Sequence, residues 1–168
     1  MSPLYEFSVP VFIKSLGGLK IILEKAQTHG LDDVTLLAAS LAPDMFPLVR
    51  QVQIACDNAK GVVARLSGQE IPVYPDTETT IGALIARIDT TINYLQSVPP
   101  EMFASAAERP ITLAYFPGMY MTGFEYLRSY ALGNFFFHVT TAYDIIRHLG
   151  VMIGKADYTN GMPLKPLA

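Results

Sequence analysis

Three histidines, a single cysteine and a few carboxamides and carboxylates at helical spacing are the groups on which this sequence could build chemistry. The most informative run lies towards the C-terminus. Taken in steps of four and three, Leu127, Ala131, Asn134, His138, Ala142, Ile145 and Leu149 form one stripe, the spacing at which side chains share a helical face. Two polar groups therefore stand in an otherwise apolar line, and Asn134 and His138 are expected to point into the protein together. Imidazole moves protons near neutral pH and ligates transition metals. A buried polar group without a partner costs about 1–3 kcal/mol, and Gln53 and Asp57, one turn apart on an earlier segment, are the natural partners. Tyr143 and Tyr130 stand off the stripe, where they would rim a pocket. Two readings stay open: a ligand or metal pocket, and a hydrogen-bond network that fixes helix register.

The other reactive groups do not extend this cluster. His148 follows His138 by ten residues, roughly 15 Å along a helix axis, too far to share an ion. His29 falls at the end of a helical segment, where a capping role is expected. Cys56 sits among Val52, Ala55 and Ala59 with Lys60 the one cation at helical spacing, the setting of an inert core thiol. No phosphate-cradling glycine loop, nucleophile elbow or Cys-x-x-Cys occurs.

Proline and glycine divide the chain into four long helical segments that must position these groups. The first runs to His29 with Phe12, Leu16, Leu19, Leu23 and Ala26 on one face, entered at Ser2-Pro3 or at Ser8. A connector from Leu31 to Pro43 leads to Asp44, the expected N-cap of a second helix whose stripe runs from Met45 through Val52, Cys56, Ala59 and Val63 to Leu66, ending near Gly68. Asp76 or Thr77 should cap a third, carrying Ile81, Leu84, Ile88 and Leu95 and closed by Pro99-Pro100. Ile111 to Met121, with Pro117-Gly118 in the middle, reads as a small hairpin. Thr122-Gly123-Phe124-Glu125 is a capping box opening the fourth helix, which ends at Gly150. The tail from Val151 onwards is expected to be extended and laid over the bundle or a neighbour. Glycines inside helices, at 17, 18, 61, 82 and 133, imply close helix approach or room for a ligand. The expected fold is an all-α four-helix bundle over residues 1–168, one domain, with a small β-hairpin or irregular insert before the last helix.

The stretch His138-Val-Thr-Thr-Ala-Tyr-Asp-Ile-Ile-Arg-His-Leu-Gly150 resembles the last helix of the DinB/YfiT-like superfamily, and Val63-Ala-Arg-Leu-Ser-Gly68 fits the end of its second helix. The likeness is to an uncharacterised, domain-of-unknown-function branch. It implies a four-helix bundle with a metal site of three histidines, one on the second helix and two spaced by four on the last, as in thiol-dependent transferases and isomerases. His138 matches the second of the last-helix pair. Asn134 stands where the first would be, and the second-helix position falls near Gln53 or Ile54. Carboxamides are poor ligands for zinc or nickel beside imidazole, so the resemblance implies a degenerate site with His138 as its one strong ligand. No cofactor follows from the residues themselves.

Composition narrows the function classes. A net charge of −3 with 12 scattered Lys and Arg residues gives no basic stripe for a phosphate backbone, which argues against nucleic acid. No run approaches the roughly 18 apolar residues that a membrane span needs. Glu6 stands where a secretory signal carries positive charge, and with one cysteine the chain is expected to be cytoplasmic. The 51% apolar content and mean hydropathy of +0.30 point to a homodimer. The favoured reading is small-molecule binding around His138, Asn134, Gln53, Asp57 and Tyr143. Its rivals are a metal-dependent thiol transferase or hydrolase and a structural, partner-binding homodimer. Whether a reaction is catalysed stays open.

Overall fold

The structure is a computed structural model that describes residues 2–167. Four long helices form the bundle. A short helix α1 (Pro3–Glu6) precedes α2 (Val9–Gln27), so the shorter of the two N-terminal starts is realised. Pro10 then falls in the first turn, where its missing N–H costs nothing. The connector to the second long helix folds as α3 (Asp33–Ala38), N-capped by the Asp32 carboxylate accepting from Thr35 N at 2.8 Å. Helix α4 (Leu48–Ser67) is entered from Pro47 instead of Asp44 and ends at Gly68. Thr80, not Asp76 or Thr77, caps α5 (Ile81–Ser97) by accepting from Ala83 N at 3.1 Å. Asp76 is drawn away into ion pairs with Arg50 and Arg87.

The expected hairpin shrinks to one antiparallel ladder, β1 (Pro110–Ile111) on β2 (Met121–Thr122). Between the strands the chain makes successive turns, Phe116 N to Leu113 O and Met119 N to Phe116 O, because Pro117 cannot donate to a longer ladder. Thr122 and Glu125 form the expected capping box at the start of the last helix. That helix has three contiguous parts: α6 (Gly123–Tyr126), a π-helical turn (Leu127–Ala131) and α7 (Leu132–His148).

Helix α4 is the centre of the bundle, packed against α5 on one side and α7 on the other, while α2 closes the far side against α5 and α7. Phe12, Leu16, Leu19, Val52, Ala59, Val63, Leu84, Ile88, Phe135 and Ala142 fill the middle, all fully buried. The tail is not simply extended: α8 (Lys155–Thr159) lies across α2, tied by Lys25 Nζ to Asp157 at 2.7 Å and Asn160 Nδ2 to Lys14 O at 3.1 Å. A Cβ at Gly18 would come within 2.7 Å of the Tyr158 carbonyl oxygen, so glycine is what permits this contact. Among the described residues, no helix is long and apolar enough to cross a membrane.

Candidate functional site

A groove of about 430 Å³ runs between α4 and the last helix and is roofed by the segment after β1. From α4 it receives Arg50, Ile54, Asp57, Asn58 and Arg65, which recur at helical spacing on one face. From the last helix it receives Tyr126, Tyr130, Asn134 and His138, and Leu113 and Tyr115 come from the roof. The four last-helix residues are spaced by four. On an unbroken α-helix each such step drifts by about 40°, so Tyr126 and His138 would diverge by about 120°. The wider π-helical turn at Leu127–Ala131 takes up that drift.

His138 is 7% exposed, and its ring is held in one orientation. Gln51, 1% exposed on α4, donates from Nε2 to the Phe46 carbonyl at 3.0 Å, so its Oε1 faces the imidazole and can only accept. His138 Nδ1 therefore carries the proton and donates to Gln51 Oε1 at 2.7 Å. The lone pair is left on Nε2, the ring nitrogen available to the groove. Burial, and secondarily the charge of Arg50, lower the pKa of His138 below its ordinary value, so the ring is neutral near pH 7.

Of the residues read as a pocket, the structure brings three to this groove: His138, Asn134 and Asp57. Asp57 is not a partner of His138, being held by Lys60 Nζ at 2.7 Å and Arg87 Nη2 at 2.8 Å. Gln53 lies off the groove. Its Oε1 accepts from Arg50 and its Nε2 donates to Glu78, each at 2.7 Å, because residue 53 points towards the segment leading into α5. Tyr143 also lies elsewhere, set edge-on against Tyr158 of α8 with ring centroids 5.8 Å apart. Cys56 is fully buried and burial pushes its thiol up to about 12, as an inert core cysteine requires. His29 and His148 are exposed at the ends of α2 and α7.

The missed residues are Gln51, Arg65 and Tyr126, whereas Ile54, the alternative to Gln53, and Tyr130, the second rim tyrosine, do line the groove. Gln51 follows Leu48 by three and precedes Ala55 by four, the spacing that singled out His138, so one rule applied to both helices would have found the pair. Tyr126 was out of phase with the α-helical stripe because the π turn, which contains Tyr130, lies between it and Asn134.

The donor set does not suit a metal. Beside His138 the groove offers a carboxamide at Asn134, hydrocarbon at Ile54 and a carboxylate, Asp57, already held by Lys60 and Arg87, and among the described residues no group of three His, Cys, Asp or Glu side chains could hold an ion. The sequence model of the family described as "Domain of unknown function (DUF1993)" matches residues 4–159. The chain belongs to that family. Its fold is also that of a DinB family member protein from Shewanella denitrificans, with a TM-score of 0.94 and 44% sequence identity over 98% of this chain and 96% of that one. The DUF1993 chain is thus a DinB-like bundle. Among curated proteins none matches it.

Proposed function

We propose that this DUF1993 chain binds a small organic molecule in the groove between α4 and the last helix, with the bare Nε2 of His138 accepting a hydrogen bond or a proton from it. The observation that carries the reading is the chain of bonds from the Phe46 carbonyl through Gln51 to His138 Nδ1. A ring needed only for packing has no use for a fixed tautomer beside a groove, whereas an acceptor pre-oriented before its ligand arrives spares the ligand the cost of ordering it. A neutral imidazole of lowered pKa is a hydrogen-bond acceptor first, and a general base where the ligand offers a sufficiently acidic proton. The aromatic wall of Tyr115, Tyr126 and Tyr130 supplies apolar contact area, the usual lining of small-molecule sites.

A fragment library screened by two-dimensional NMR tests this. Binders are expected to move the signals of Asn134, His138 and Tyr130, and His138→Ala should abolish those shifts while the spectrum stays that of a folded bundle. Binders that map only outside the groove would overturn the reading.

A second reading concerns self-association. Tyr115, Met119 and Tyr120 are exposed by 80%, 68% and 67%, and the segment from Pro110 to Thr122 carries no charge. Such an uncharged apolar surface favours pairing with a second copy. Light scattering should give about twice the 18.4 kDa chain mass, and a monomer at micromolar concentration would refute it.

A further inference from the structure

The charges around the groove do not cancel. Arg50 pairs with Asp76, and Asp57 is held by Lys60 and Arg87. His138 is neutral near pH 7. Of the two arginines that line the groove, Arg65 is the one that pairs with no carboxylate among the described residues. Its one side-chain bond is a long one, from Nη1 to the buried Tyr126 hydroxyl at 3.4 Å. A guanidinium has five N–H donors, so most of its capacity is unspent.

Arg65 stands in the last turn of α4, where the helix end offers about half a negative charge. The side chain does not use it. It folds back along the groove over Gly61, whose absent Cβ would lie 2.7 Å from Nη1. Any other residue at 61 would push the guanidinium aside, so this glycine makes room for a cation on the groove face. The mid-helix glycine, which costs up to about 1 kcal/mol relative to alanine, is thereby explained.

Building on the groove reading above, we propose that the ligand is an elongated organic anion whose carboxylate or phosphate is held by Arg65 and the Tyr126 hydroxyl while its far end reaches His138 Nε2. The level of Gln51, opposite His138, and that of Gly61 are ten residues apart on α4, roughly 15 Å. That spacing sets the ligand's length. The intervening wall of Tyr130, Asn134 and Ile54 suits a partly apolar linker.

Titration calorimetry with 6-(4-hydroxyphenyl)hexanoate and its neutral carboxamide tests the inference. These probes share a phenol for His138 and differ only in charge at the other end. The wild type should bind the acid at least about tenfold more tightly than the amide, the worth of one charge-assisted bond in a partly buried site. Arg65→Gln should bring the two within twofold, and the Arg65 Nε–H resonance should move with the acid alone. Equal affinities in the wild type, or an advantage that survives Arg65→Gln, would overturn the anion class while leaving the groove reading intact. Binding of neither probe would overturn both. Should Arg65→Gln fail to fold, Arg65→Lys decides: a point charge without the planar fork should cut the acid's advantage several-fold, and an unchanged advantage would again overturn the proposal.

Discussion

Removing the carboxamide that orients His138 gives a measurable free energy. In Gln51→Leu a side chain of similar size fills the space, but the Nδ1–H of a 7% exposed imidazole loses its acceptor and the Phe46 carbonyl loses its donor. A buried polar group left unpaired costs about 1–3 kcal/mol. For a domain of this length that is a fall in Tm of roughly 3–9 °C. His138→Leu alone should cost a comparable amount by stranding the Gln51 oxygen. The double variant Gln51→Leu/His138→Leu removes both partners, and replacing a hydrogen-bonded pair by apolar groups of like shape is close to neutral. Urea unfolding of the four proteins should therefore give a coupling equal to the two single costs together, about 2–6 kcal/mol. Long-range 1H–15N spectra add an independent readout: wild-type Nδ1 should be protonated and Nε2 bare, and Gln51→Leu should populate the other tautomer. A coupling below about 0.5 kcal/mol, within the scatter of independent sites, or a wild-type ring protonated on Nε2, would refute the orienting role.

Three further outcomes follow from the geometry. Because burial lowers the pKa of His138, the unfolded chain binds its proton first as pH falls below the ordinary value of 6.5; wild-type stability should drop through that range and level off below the folded pKa. The urea midpoint of His138→Leu should fall less between pH 7.5 and 5.5, and equal falls would refute this. Gly18→Ala places a Cβ 2.7 Å from the Tyr158 carbonyl and 2.9 Å from that of Asp157, so α8 should lift from α2 and its amides exchange faster; unchanged hydrogen exchange there would count against the contact. Ile54→His/Asn134→His should bind one zinc per chain with His138 and gain thermal stability, whereas Gln53→His/Asn134→His should bind more weakly, as calorimetry would reveal; the reverse order would mean that residue 53 faces the groove.

Much of the bundle was legible because its helices obey the simple period. The stripes of the first three long helices and the Thr122–Glu125 capping box gave elements within a few residues of those observed. Helix starts were less legible. Asp44 and Asp76 are good caps by type, yet Pro47 sets the entry to α4 and the ion pair to Arg87 recruits Asp76, and tertiary contacts of that kind leave no mark on local propensity. The site was half legible. His138 and Asn134 stood out as polar residues in an apolar line, but the choice of Gln53 over Gln51 turned on two residues of register, about 200° of helix rotation. Phe135, fully buried, and not Asn134, continues the core at that level, which is why Asn134 lines the groove instead of the interior.

The π-helical turn at Leu127–Ala131 divides the last helix into two sections offset in rotation by the one residue that such a turn inserts. Deleting one residue there would restore an unbroken α-helix and turn Tyr126 and everything before it by about 100°, while leaving Asn134 and His138 against Gln51. The end of the groove lined by Tyr126 can thus be re-aimed without disturbing the end that carries the imidazole. A single-residue change of length, normally ruinous inside a core helix, becomes in this one turn a means of reshaping one end of the groove while the other stays fixed; on the proposed reading, that alters specificity at constant chemistry.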